Sequence, residues 1–106
     1  MKTNHKLIFG NCMDMCEISD ESIHLIVTSP PYYNAPFDYD GLFANYEQYL
    51  GVLNHFARES FRVLCEGRIV VLNIDDMLVH GTKYPIVADA IKIFQDAGFR
   101  YRDRII

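Results

Sequence analysis

"IHLIVTSPPYYNAPFDYD" (residues 23–40) decides how this chain is read. It opens with Ile23–Thr28, an apolar, β-branched run too short for a helix, which suits a strand buried on both faces. The run stops at Thr28-Ser29, and two prolines and two tyrosines follow. Paired prolines fix two backbone φ angles and remove two N–H donors, so the carbonyls of the turn point in set directions. Ser29 adds a hydroxyl acceptor and Tyr32 a flat ring. Together they form a rigid acceptor cluster beside a stacking platform, suited to a planar group that bears an NH₂.

Elements alternate on either side of this turn. "KLIFG" (6–10) reads as a short strand, "CMDMCEI" (12–18) as a short helix and "SDES" (19–22) as a polar turn. Across residues 45–64, Tyr46, Tyr49, Leu50, Leu53, Phe56, Ala57, Phe61 and Leu64 recur at spacings of three and four, the stripe of an amphipathic helix. Glu66-Gly67 is expected to end it, with Gly67 as a left-handed cap. "RIVVLNI" (68–74) is the next strand, and residues 75–83 form a polar loop. Pro85 then suits a first helical turn. Ile86, Val87, Ala90, Ile91, Phe94 and Ala97 supply a second stripe, closed by Gly98, and "FRYRDRII" (99–106) begins another strand. Strands linked by crossover helices imply an α/β sheet with parallel pairing. Ligands of such sheets bind beyond the carboxyl ends of the strands, where Ser29-Pro30-Pro31-Tyr32 lies.

Composition narrows the choices. The 106 residues amount to one soluble globular domain, without an apolar run near the roughly 18 residues of a membrane span. The N-terminus is too polar for a signal peptide. Cys12, Cys16 and Cys65 form no Cys-x-x-Cys pair, and His5 and His24 are poorly placed to complete a metal site. Reduced, partly buried thiols in a cytoplasmic protein are therefore expected. The net charge is −4 and basic residues gather only at Arg100, Arg102 and Arg104, so a phosphate-gripping face is not expected within this segment.

The tetrapeptide resembles the [Asp/Asn/Ser]-Pro-Pro-[Tyr/Phe/Trp] motif of the amino-methyltransferases that modify exocyclic nitrogens of DNA bases. The similarity extends over "IFGNCMDM" and "ISDESIHLIVTSPPY", then "FRVLCEGRIVVLNI", then "YPIVADAIKIFQDAGFRYRDRII", in family order and over nearly the whole chain. It implies a Rossmann-like S-adenosylmethionine-dependent methyltransferase fold, α/β with a mostly parallel sheet. Catalysis would fall to Ser29, Pro30, Pro31 and Tyr32. Ser29 and the Pro30 carbonyl would accept hydrogen bonds from the target amine, and Tyr32 would stack on a base flipped out of the duplex. Asn11, Thr28 and Ser29 would face the cofactor, S-adenosylmethionine, although Gly10-Asn11 replaces the family's Gly-Asp. Tyr32, Tyr33 and Phe37 would face the base.

Ser at the first motif position leans toward cytosine N4 over adenine N6. Carbon-5 methylation needs a thiolate in a Pro-Cys setting, and none of the cysteines follows a proline. The family's Phe-x-Gly-x-Gly cofactor turn is missing: the six glycines stand apart at 10, 41, 51, 67, 81 and 98. The order then matches the permuted class, and residues 1–106 are expected to be its catalytic half, inactive alone and with an unclosed sheet. Double-stranded DNA would be held mainly by regions absent here. The resemblance also allows a homodimer and a restriction endonuclease partner.

Competing readings differ in kind. An inactive α/β relic used as an interaction domain would treat Pro30-Pro31 as a plain turn. Glutamine methyltransferases share a similar Asn-Pro-Pro-Tyr, but with the glycine-rich turn upstream. A Pro-Pro-x-Tyr ligand for a proline-binding domain would need an exposed, disordered setting. Tyr33, Phe37, Tyr39 and Phe43 are expected in a lid or in satellite packing, and His24 as a core histidine. His55 and His80 are expected at the surface, and Asp75-Asp76 in a solvated loop.

Overall fold

The computed structural model describes residues 3–30, 33 and 43–104. In chain order the elements are β1 (Ile23–Thr28), α1 (Tyr46–Val63), β2 (Leu64–Leu72), β3 (Met77–Val79), β4 (Thr82–Tyr84) and α2 (Ile86–Ala97). The β1 and β2 strands pair in parallel across the α1 crossover, with Leu25 opposite Ile69, Val27 opposite Val71 and Thr28 opposite Leu72. The Asn73 amide extends the ladder onto the Thr28 carbonyl at 2.9 Å. This pairing draws the C-terminal ends of both strands level with the turn at Ser29.

Helix α1 begins where its chemistry dictates. Asn45 has extended backbone and its side chain accepts from the Gln48 amide at 2.8 Å, while Gln48 Oε1 accepts from the Ala44 amide at 2.6 Å. The Gln48 amide, orphaned at the helix start, is satisfied by Asn45, and the Gln48 side chain in turn holds the amide of Ala44, which precedes the cap. Tyr49, Leu53, Phe56 and Ala57 of the predicted stripe are buried, joined by Ser60 and Val63, whereas Phe61, expected on the same face, is exposed. Helix α2 packs alongside through Ile86, Val87, Ala90 and Phe94. Pro85 is its N-cap rather than its first helical residue and offers no side-chain cap. Asp76 does this from a distance, its Oδ1 accepting from the Val87 amide at 2.9 Å. Gly98 ends the helix at φ 122°, and the Phe99 amide reaches back to the Phe94 carbonyl at 3.0 Å, a Schellman-type closure.

Two clusters make the core. Phe56, Ala57 and Phe94 cover one sheet face through Ile26, Val70 and Leu72. The second cluster gathers Tyr33, Phe43, Tyr49, Leu53, Val79, Ile86 and Ala90.

Several expectations are corrected. Residues 6–10 are not a strand, for no described strand lies beside them to share a ladder. Residues 12–18 form turns instead of a helix. Asn11 Oδ1 accepts from the Met13 amide at 3.0 Å, a side-chain bond that competes with helical pairing. Residues 99–104 are likewise not a strand. Gly67 does not cap α1, because Leu64 passes directly into β2. Its φ of 80° falls where the register shifts between Ile23 and Leu25. Residues 75–83 are no plain loop but carry the antiparallel β3–β4 hairpin, turned at His80 and Gly81. Strand β1 is covered on one face only, and His24, in the irregular part of its ladder, is exposed. Cys12 and Cys16 are exposed as well.

Candidate active site

At the carboxyl end of β1, Thr28, Ser29 and Pro30 form one wall of a cavity of about 130 Å³. Tyr49, Val52, Leu53 and Phe56 of α1 make the opposite, apolar wall, and Cys12 closes one side. The position follows from the fold: the parallel ladder stops at Thr28, and the buried stripe of α1 passes over that end. Ser29 is exposed, and its hydroxyl makes no hydrogen bond to another described residue, which leaves it free to accept one. Pro30 follows as a half-buried residue with no amide donor of its own. An acceptor group thus stands at the edge of an apolar recess, where a polar contact is strengthened by the low local dielectric.

A second cavity, of about 170 Å³, lies among Ile8, Gly10, Asn11, Cys12, Asp14, Met15, Glu17 and Ile18. Cys12 borders both cavities. Asn11 and the Thr28–Ser29 pair therefore lie in adjoining recesses, not in a single one. Each is smaller than the roughly 300 Å³ at which small-molecule pockets begin. The described residues supply walls of a site and not an enclosure.

The wall around Asn11 is held by α1. Arg62 donates to the Met15 and Ile18 carbonyls at 2.8 and 2.9 Å, and it pairs with Asp20 at 2.6 Å and Glu59 at 2.9 Å. Glu59 Oε2 accepts from the Met15 amide at 2.6 Å. The Arg62 guanidinium, and then the Met15 amide, hold the Glu59 carboxyl below its usual range. The neighbouring Asp14 and Glu17 carboxylates push the Cys16 thiol up, away from the reactive thiolate form. No group of metal-ligating side chains occurs among the described residues.

Tyr33 stands apart from both cavities. It is 6% exposed, in a ring cluster with Tyr84 at 4.8 Å, Tyr46 at 5.3 Å, Tyr49 at 5.6 Å and Phe43 at 6.4 Å between centroids. Tyr46 Oη donates to Asp89 Oδ2 at 2.6 Å. Burial, and then that bond, push the Tyr46 phenol far above the usual tyrosine range, so it stays protonated and donating. The cluster seats Tyr33 against α1, through Tyr46 and Tyr49, and against β4, through Tyr84. Tyr33, expected to face a base, is an anchor in this structure. Pro31, Tyr32, Phe37 and Tyr39, for which roles were expected, lie outside the described residues.

Sequence reasoning missed the helix side of the recess. Leu53 and Phe56 belong to a stripe that reads as ordinary core, Val52 lies outside that stripe, and only the crossover geometry aims them at the strand end. Glu59 and Arg62, three residues apart, carried a visible signal as an ion pair. Their backbone partners more than forty residues upstream carried none.

Comparison with known proteins gives a consistent picture. The family profile described as "DNA methylase" matches residues 23–106. The type II methyltransferase M.MjaVI of Methanocaldococcus jannaschii is 37% identical over 92 residues, which are 85% of this chain and 47% of that protein. The type II methyltransferase M.MthZI of Methanothermobacter thermautotrophicus is 33% identical over an alignment spanning the whole chain and 36% of its own length. This chain thus spans about half, or less, of the curated relatives it matches. A solved Thermus thermophilus chain described as a DNA modification methylase superposes with a TM-score of 0.72 at 30% identity. The match covers 89% of this chain and 38% of that one. The same protein in complex with S-adenosyl-L-methionine gives 0.72 at 31% identity, over 86% of this chain and 40% of that one. The two chains share a fold.

Proposed function

This chain belongs to the DNA methylase family, and from that premise we propose that it forms the amine-orienting half of a DNA amino-methyltransferase. Its substrate is a base flipped from double-stranded DNA, with cytosine N4 favoured over adenine N6, and its methyl donor is S-adenosylmethionine. The observation that carries this reading is the free Ser29 hydroxyl beside Pro30, at a strand's carboxyl end on the edge of an apolar recess.

The residues present fit one side of such a donor: Thr28 and Ser29 on one recess, Asn11 on the adjoining one, Cys12 between them. When bound, the donor supplies an electrophilic methyl group on sulfur. The chain's own work is positional. Ser29 Oγ and the Pro30 carbonyl accept the two N–H bonds of the target amine, which frees its lone pair from the ring and turns it toward the methyl group. The Val52, Leu53 and Phe56 wall keeps water from competing for those bonds. Catalysis of this kind rests on orientation and preorganised dipoles, without a covalent enzyme intermediate.

The rest of the fold is assigned to polypeptide outside residues 1–106, with the glycine-rich donor turn and the basic DNA-reading surface. Chromatography of nucleosides from DNA treated with the assembled enzyme tests the reading. N4-methylcytosine is the expected product. N6-methyladenine would correct the base, and 5-methylcytosine would overturn the amine mechanism.

A further inference from the structure

We propose that Arg62, together with Glu59, is a positioning residue for the methyl donor: the pair holds the turns of residues 11–18, and Asn11 with them, in the shape that receives it. The inference rests on the donor reading of the Asn11 recess given above.

All five N–H donors of the Arg62 guanidinium are engaged. Nε and Nη2 grip the two Glu59 carboxylate oxygens at 3.0 and 2.9 Å. Nη2 also donates to the Met15 carbonyl at 2.8 Å, and Nη1 to the Ile18 carbonyl at 2.9 Å and to Asp20 Oδ1 at 2.6 Å. Glu59 completes the set by accepting from the Met15 amide at 2.6 Å. The clamp stands on the helix that also carries Phe56 of the first recess, one to two turns further along, so one rigid element supports both recesses.

What the clamp grips has little order of its own. Residues 11–20 hold neither helix nor strand, and their internal backbone bonds close turns, Asp14 amide to Asn11 carbonyl at 3.0 Å and Ile18 amide to Met15 carbonyl at 2.9 Å. Among the described residues, each hydrogen bond that ties 11–20 to the rest of the molecule comes from Glu59 or Arg62. Yet these turns wall the second recess, and Cys12 joins it to the first. Folding stability alone is a poor account of the arrangement. The Arg62 and Asp20 side chains are 31 and 75% exposed, and ion pairs in such settings add little to it. What the clamp supplies is preorganisation: a wall already in place need not be ordered when a ligand binds.

The test is titration calorimetry of S-adenosylmethionine into the assembled enzyme, without DNA, for the parent and for Arg62→Met, which keeps an apolar stem. The donor Kd is expected to rise by about 10-fold or more, since the loosened wall must be ordered on binding. The KM for DNA should stay close to that of the parent, and the Met15 amide should lose protection against hydrogen exchange. Arg62→Lys keeps the charge but not the planar fork, and should recover only part of the affinity. Arg58→Met, which removes an exposed arginine of the same helix, should leave the donor Kd unchanged. An unchanged donor Kd in Arg62→Met, or a loss matched by an equal loss of affinity for DNA, overturns the proposal. If Arg62→Met does not fold, Glu59→Gln decides by the same readings, with a smaller rise expected and no rise overturning it. Asn11→Ala separates the inference from its premise. Weaker donor binding in Asn11→Ala but not in Arg62→Met removes the clamp's role and leaves the recess its donor. An unchanged Kd in Asn11→Ala removes the donor reading of that recess, and the inference with it.

Discussion

At the scale of single residues, chemistry separates positions that the pattern treats alike. Ser60 and Leu53 share the buried stripe of α1, but Ser60 Oγ is fully buried and has no hydrogen-bond partner among the described residues. An unsatisfied hydroxyl costs its desolvation, about 1–3 kcal/mol. Ser60→Ala is therefore expected to stabilise the fold by about 1 kcal/mol, read as a higher urea midpoint at unchanged slope. Glu59 gives a pH-dependent counterpart. Its folded pKa lies below the ordinary 4.5, so the clamp on Met15 contributes fully above that value and is lost as pH falls through the folded one. Protection of the Met15 amide against hydrogen exchange should hold above pH 4.5 and collapse on further acidification. Glu59→Gln should remove that pH dependence. The exposed Arg62–Asp20 pair adds little to stability, as surface ion pairs do.

At the scale of elements, both helices and β1 were legible because their signals are local. The three-four stripe of α1 and the Gly98 stop of α2 lie within a few residues of what they determine. Gly98 is the sharpest case. A Cβ built there would lie 2.6 Å from Phe61 Cε1, at a φ of 122° that side chains rarely adopt. Gly98→Ala is expected to lower stability by about 1–3 kcal/mol, measured by thermal or denaturant unfolding. The misread elements depend on partners that are distant or outside the described residues. Residues 6–10 and 99–104 have strand-like composition, but composition cannot supply a neighbouring ladder. The β3–β4 hairpin was hidden because Asp75 and Asp76 read as solvated, whereas Asp76 caps α2 across ten intervening residues. Ser29 and Pro30 were legible as a candidate for a site because proline chemistry is local. The wall that faces them was not, because the crossover alone brings α1 over the strand end.

At the scale of the whole molecule, the chain carries one side of a recess at the β1 terminus and one covered sheet face. Two small adjoining recesses, neither of them an enclosure, are in keeping with the proposal that the donor site is completed by residues other than the described ones. Titration calorimetry of S-adenosylmethionine into the 106-residue chain should accordingly show no binding at roughly micromolar affinity. Binding at that level would mean that the donor site is complete without the remainder. The central claim is that Ser29, at the β1 terminus, orients the target amine. Its most direct test is steady-state methylation by the assembled enzyme with Ser29→Ala in place of the parent chain. The expected result is a fall in kcat of about 100-fold with little change in KM for DNA or donor, as for a lost contact made in the transition state. An unchanged kcat, or a loss confined to KM, would contradict it.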